Sequence, residues 1–422
     1  MTESKEPDGL GGRRIHPALH FEHDFASVGI VDYERVFWIV TSDRQIIPAD
    51  QPGIMFETPP LVYHGIANRW DVADLNDFVA NGEVHSFGET VDLIRNVIAY
   101  YCDLQYREES ALIAYWIMGT YFHPLFPTFP RLYLHGERGT AKSKVLSLIA
   151  AMAFNGLLRL NPTPATLFRL IHPVRPTLCL DEIETLAGHD KAELLSIVNS
   201  GYKRGAAVDR CMGEKHDLHT YQVYSPVTLA GIAGLNSVTE DRAITIVTVR
   251  GRDRDKVNRE VISEDPVFQQ IRNGCYRLVL SVFGLIEQTR QEFTLPDWLV
   301  GRHRELYGPV LSVAALADRD GGLGLTSDLS AIAEHELPHR SGRSFESEAV
   351  LTLLREQLAK QDPYQARPGE VALLLEGKLG HRVTAEKAGH MLRRLGFERM
   401  RDAKGSYYLV TSDRINEVEG GS

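Results

Sequence analysis

Residues 132–152, LYLHGERGTAKSKVLSLIAAM, run from a short apolar segment through a glycine turn into an apolar-periodic helix that opens on a lysine. No other stretch narrows the fold as far. A strand turning tightly into a helix leaves backbone N–H groups pointing outward at the helix start, where the dipole already favours anions. The spacing is that of the phosphate-cradling loop G-x-x-x-x-G-K-[ST], except that Ala141 stands where the second glycine belongs. Gly136 and Gly139 supply the flexible turn, and Glu137, Arg138, Thr140 and Ala141 complete the cradle. Lys142 is placed to reach the phosphates and Ser143 to offer a hydroxyl to Mg²⁺, with Lys144 beside them. A methyl at Ala141 costs little at a helix start, where φ is already negative. Taken alone, the loop is also compatible with a plain strand–turn–helix.

A second element decides between these readings. PTLCLDEIET, residues 176–185, is an apolar strand ending in two consecutive acids, at a distance from Lys142 that fits one crossover plus a strand. Asp181 is expected to hold Mg²⁺ through water, and Glu182 to orient and polarise the water that attacks ATP. One carboxylate at a strand end is ordinary solvation. A consecutive pair in register with a phosphate loop is a nucleotide site, with ATP and Mg²⁺ as the implied cofactors. Cys179, inside that strand, reads as a small core residue.

From 131 to about 250 the chain alternates RLYLH, helix 142–153, GLLRLN, helix 164–171, TLCLD, helix 190–200, SPVTLAGI and AITIVTV. That alternation predicts an α/β fold with a parallel sheet and crossover helices. The expected organisation is a disordered tail (1–14), a small mixed-β domain of unassigned role (15–88), a helical linker packed on the ATPase (89–130), the ATPase core (131–255), a helical lid region (256–340), a winged helix (341–414) and a second disordered tail (415–422). The most apolar run, ALIAYWIMGTYF at 111–122, is too short to span a bilayer and reads as a buried helix, so no membrane is expected. The polar, glycine-rich start does not have the form of a signal peptide. Four scattered cysteines without a C-x-x-C pair indicate neither zinc nor a disulfide framework, and fit a reducing, cytoplasmic compartment. A net charge of −10 excludes a chain coated in positive charge for nonspecific nucleic-acid binding, so any DNA contact must come from local patches.

Beyond the acids, AAVDRC and HTYQVY flank the turn MGEKHD, which predicts a β-hairpin with Lys215 at its tip just before the next sheet strand. That strand ends near Asn236, a candidate sensor for the γ-phosphate. Arg242 stands just before the following strand, the usual place for a finger that reaches a neighbouring subunit's ATP, though a surface salt bridge is the plainer alternative. The sequence TPATLFRLI…RPTLCLDEIETL…LLSIVNSGYKRGAAVDRC…YSPVTLAGIAGL…EDRAITI resembles a group of AAA+ ATPases carried by phages, plasmids and integrated mobile elements, often beside primase modules and assigned as replicative helicases. GRHRELYGPVLSVAALAD also resembles that group, with Arg302, Glu305, Tyr307 and Pro309 matching its pattern and Arg302 joining the candidate catalytic residues. The hairpin and the arginine before the last strand are similar to those of minichromosome-maintenance and superfamily 3 helicases. The resemblance spans roughly residues 106–318. It implies a hexameric ring that hydrolyses ATP, single-stranded DNA in its pore and possible partnership with a primase; no primase or zinc-ribbon segment is recognisable in this chain.

The C-terminal block carries a helix at 384–395 with Ala385, Ala388, Met391, Leu392 and Leu395 at core spacing. Lys387, Arg393 and Arg394 are left for the open side, and Arg399, Arg401 and Lys404 lie on the wing. A winged helix docks on DNA through such a helix and wing, and winged helices also serve as protein–protein modules. The rival to a ring helicase is therefore a loader or remodelling switch whose ATP state controls a protein partner. Overall acidity favours the switch, while the basic hairpin tip and wing favour the helicase.

Overall fold

The computed structural model describes residues 12–182, 188–212, 217–232, 234–322, 324–340, 345–379, 383–403 and 405–420. The chain divides into two compact units, 1–334 and 335–422. In the first, β1 (Arg14–Ile15) precedes a four-stranded antiparallel sheet of β2 (Leu19–Phe21), β3 (Ala26–Val31), β4 (Phe37–Thr41) and β5 (Ile46–Pro48). β6 (Met55–Phe56) then returns parallel to β1. Next comes a helix the β-like runs do not announce, α1 (Val72–Asn81). Its signals are local: Asp71 caps it by accepting from the Ala73 and Asp74 N–H groups, and Gly82 ends it at φ 71°.

α2 (Phe87–Tyr101) and α3 (Arg107–Thr120) follow. Residues 112–118 of α3 are all buried, and the Trp116 indole donates to the Pro130 carbonyl at 2.9 Å. Among the described residues no helix is long and apolar enough to cross a membrane.

Strands and helices then alternate as the pattern predicts. β7 (Arg131–His135), α4 (Lys142–Met152), β8 (Leu157–Arg159), α5 (Pro164–Val174), β9 (Leu178–Leu180) and α6 (Gly188–Ser200) lead to a separate hairpin of β10 (Ala207–Met212) and β11 (Asp217–Gln222). β12 (Val227–Gly231), α7 (Ser237–Glu240), β13 (Ala243–Val247) and α8 (Arg254–Asn258) complete the alternation. The five-stranded sheet is wholly parallel, in the order β13-β7-β12-β9-β8. Its strands are nearly continuous apolar runs because helices cover both faces. Cys179 is fully buried in β9.

α9 (Pro266–Glu292), α10 (Gly301–Arg319) and α11 (Thr326–Arg340) give the helical run expected after the core. α2, α3, α4, α9 and α10 share one apolar cluster with strands from both the N-terminal sheet and the central sheet.

The second unit comprises α12 (Phe345–Leu358), β14 (Tyr364–Ala366), α13 (Pro368–Leu379), α14 (Ala385–Arg394), β15 (Arg399–Asp402), β16 (Gly405–Val410) and α15 (Ser412–Gly420). Its antiparallel sheet has the order β14-β16-β15. Ala388, Met391, Leu392 and Leu395 are buried as their spacing expects, whereas Ala385, in the first turn, is exposed. Residues from 415 on, expected as a tail, are instead helical through 420 in α15, because Thr411 caps the start and Ile415 is buried at 2 % exposure. Of the other expected tail, residues 1–11 lie outside the described residues, whereas Arg14 already belongs to β1, paired with Met55.

Candidate phosphate-binding site

β7 delivers the chain to the loop at the carboxyl edge of the sheet, and α4 begins at Lys142. Gly139 takes φ 78°, which only glycine adopts without strain. Gly136 is required for a different reason: a Cβ there would stand 2.3 Å from the Thr248 carbonyl oxygen and 2.4 Å from its Oγ1. Ala141 has φ −69°, so the missing glycine is not needed at that position. The Lys142 side chain is 7 % exposed, and its ammonium donates to the Gly136 and Glu137 carbonyls at 2.6 Å each and to Thr140 Oγ1 at 3.3 Å. Glu137, Arg138 and Thr140 form the loop itself, with Thr140 Oγ1 donating to the Glu137 carbonyl at 2.9 Å and meeting Thr248 Oγ1 at 2.8 Å.

Ser143 and Asp181 come together. Ser143 Oγ donates to Asp181 Oδ2 at 2.7 Å, while Asp181 Oδ1 accepts the Glu182 N–H at 2.9 Å. Asp181 is 8 % exposed and Glu182 is exposed beside it at φ 50°. β12 lies between the loop strand β7 and the acid strand β9, so the hydroxyl and the carboxylate meet past the end of an interposed strand. Two oxygen donors of this kind, a hydroxyl and a buried carboxylate, fit a hard cation such as Mg²⁺ that keeps most of its waters. Lys144 points elsewhere: its ammonium donates to the Lys256 and Val257 carbonyls at 2.8 and 2.9 Å, tying α8 to the start of α4.

Asn236 caps α7, its Oδ1 accepting from the Thr239 N–H at 3.0 Å and from Thr239 Oγ1 at 3.1 Å, and Asn199 on α6 donates to that same hydroxyl at 3.0 Å. Its hydrogen bonds among the described residues thus go to α7 and not to the loop. Arg242 stands at the opposite end of the sheet from the glycine loop before α4. β13 runs parallel to β7 from Ala243 opposite Arg131 to Val247 opposite His135, and five residues of strand span about 16 Å. Arg302 lies at that same far end, bound to Asp241 at 2.8 Å and to Glu305.

Of the candidate DNA contacts, Lys215 at the hairpin tip and Lys404 lie outside the described residues, as does the side chain of Arg394. Lys387, Arg393 and Arg401 are exposed, and Arg399 donates to Ser406 Oγ at 2.8 Å.

Sequence reasoning missed two supports of the loop. Thr248, just past β13, packs on Gly136, and nothing in its local sequence marks it. Arg69 and Arg272 clamp the far end of α4: Arg69 donates to the Ala150 carbonyl at 3.1 Å and the Ala153 carbonyl at 2.5 Å, and Arg272 to the Ala151 carbonyl at 2.8 Å. Guanidinium groups there complement the negative end of the helix dipole whose positive end faces the loop. They come from segments 81 and 121 residues away in sequence, so no local pattern could reveal them.

No family model matches the chain, and no curated protein matches it. Solved structures similar to it include the SCCmec type IV Cch active helicase, at 11% identity over 96% of this chain and 80% of that one, with a TM-score of 0.45. The apo A form of the NrS-1 C-terminal region is similar at 12% identity over 92% of this chain and 96% of that one, with a TM-score of 0.35.

Proposed function

We propose that this chain is an AAA+ ATPase that assembles as a ring, a hexamer, and couples ATP hydrolysis to translocation on DNA as a helicase for replication of a mobile element. The observation that carries the nucleotide reading is the 2.7 Å contact between Ser143 and Asp181 beside a loop whose lysine opens α4. Loop N–H groups and the Lys142 ammonium bind the β- and γ-phosphates. Lys142 is already held at the loop by backbone carbonyls, so it exchanges those partners for phosphate oxygens without a long excursion. Ser143 and Asp181 would hold Mg²⁺, which when bound neutralises phosphate charge as it develops. Glu182, exposed next to Asp181, orients and polarises the attacking water. Asn236, on the connection leaving the interposed strand, would report whether the γ-phosphate is present.

Arg242 cannot serve the loop of its own chain across the length of β13. Its position at the opposite sheet end supports a finger that reaches the ATP of a neighbouring copy, and this requirement for a neighbour supports the ring. The hairpin β10–β11, with Lys215 between its strands, would grip DNA phosphates in the pore. The C-terminal unit, read as a winged helix, would add Lys387, Arg393, Arg394, Arg399, Arg401 and Lys404 as DNA contacts. Such a ring would work with a primase or another replication protein as its partner.

The test is ATP hydrolysis with and without single-stranded DNA, together with ATP-dependent unwinding of a forked duplex. Stimulation by DNA and unwinding that is lost in both Glu182→Gln and Lys215→Ala are expected. Hydrolysis indifferent to DNA, with no unwinding, would instead favour a loader or switch acting on a protein.

A further inference from the structure

Arg242 and Arg302 converge on one ring. Their guanidinium carbons lie 5.9 and 5.2 Å from the centroid of Tyr202, a fully buried side chain just past α6. The two arginines differ in charge balance. Arg302 is compensated twice over, by Asp241 at 2.8 Å and by Glu305. Among the described residues Arg242 has no carboxylate partner, and its guanidinium donates there only to the Val238 carbonyl at 2.6 Å. Yet Asp241 is its immediate neighbour in the chain. An aspartate beside a finger arginine would pair with it and quench the charge the finger is meant to deliver, unless something else holds that carboxylate. Arg302 does hold it, and is the sole ion-pair partner of Asp241 among the described residues. Glu305, in contrast, has a second cation in Lys203 at 3.4 Å.

We propose that Arg302 and Tyr202 are positioning residues for Arg242: Arg302 engages Asp241 so that Arg242 keeps its charge for a neighbouring copy's phosphate, and the Tyr202 ring carries both guanidiniums. This assigns Arg302 a role through another residue, in place of the direct catalytic role its sequence pattern suggests. It rests on the reading of Arg242 as a finger acting between copies.

The experiment uses the full chain and measures kcat and KM for ATP in Arg242→Ala, Arg302→Met, Arg302→Met with Asp241→Asn, Tyr202→Phe and Tyr202→Leu. Arg242→Ala should lose about a thousandfold in kcat, the usual scale for such a finger. Arg302→Met should lose up to about fivefold, the scale of a partly exposed ion pair formed in the wrong place, with KM unchanged. Adding Asp241→Asn should restore most of that loss, because the carboxylate released by the first change is then neutral. Tyr202→Phe should retain activity, and Tyr202→Leu should fall with Arg302→Met. No recovery in the double variant, while Arg242→Ala remains inactive, would overturn the bracing role alone. A thousandfold loss in Arg302→Met would make Arg302 a finger itself. Wild-type hydrolysis by Arg242→Ala would overturn the finger reading and the brace together.

Discussion

Glu182 holds a left-handed backbone, at φ 50°, next to the proposed metal ligand and in an exposed position. For a residue with a Cβ that conformation costs roughly 1–2 kcal/mol. At ordinary helical or extended positions alanine is more stable than glycine by about 0.5–1 kcal/mol, because glycine loses more freedom on folding. A left-handed site inverts that order. Comparing Glu182→Ala with Glu182→Gly removes the same carboxylate and isolates the backbone term. Glu182→Gly should therefore be the more stable of the two, by about 1 kcal/mol. Both should lose ATP turnover by about a hundredfold or more, since the water has lost its polarising base. Glu182→Gln should match the original chain in stability and still fail to turn over. Urea unfolding with a common m-value reads the stability, and single-turnover hydrolysis reads the chemistry. If Glu182→Ala is as stable as Glu182→Gly, the strain inferred at this position does not exist. If Glu182→Gln hydrolyses ATP normally, the strained acid is not the base.

Gly136→Ala forces a methyl onto the Thr248 carbonyl and hydroxyl, and overpacking of that kind costs about 1–3 kcal/mol; a lower unfolding midpoint and weaker ATP binding by calorimetry are expected. Arg69→Ala removes charge-assisted donors from the Ala150 and Ala153 carbonyls, so the last turn of α4 should exchange its amide hydrogens faster and stability should fall by about 1–3 kcal/mol. His123 is fully buried, and burial pushes its pKa down to about 3 from 6.5, so the neutral form is the folded form. Its contribution is complete above pH 6.5 and is lost as pH falls from there toward 3, reaching about 2 kcal/mol at pH 5. Unfolding free energy measured from pH 7 to pH 4 should therefore drop with acid, and less steeply in His123→Gln; an identical slope in the two would show that another group governs acid lability.

Local chemistry made much of this protein readable in advance. The glycine turn before Lys142, the apolar strand ending at Asp181 and Glu182, and the strand–helix alternation between them each depend on neighbours a few residues apart. The hairpin β10–β11 and the buried helix over residues 111–120 are legible for the same reason. α1 was also within reach, since Asp71 and Gly82 mark its two ends, but the β-like runs before it drew the whole block toward strand. α15 is not legible in the sequence, because a polar nine-residue segment looks like a tail until a core is there to receive Ile415.

The assembly of the site belongs to the tertiary structure. Only the strand order β13-β7-β12-β9-β8 brings Ser143 to Asp181 across an interposed strand, and only the parallel pairing of β13 with β7 sets Arg242 at the far end from its own loop. The same holds for the Thr248 packing that excludes a side chain at Gly136, the Arg69 and Arg272 clamp on α4, and the engagement of Asp241 by Arg302. Each joins groups far apart in sequence. Their meeting depends on sheet order and on which faces are buried, and side-chain periodicity along a single segment carries information about neither.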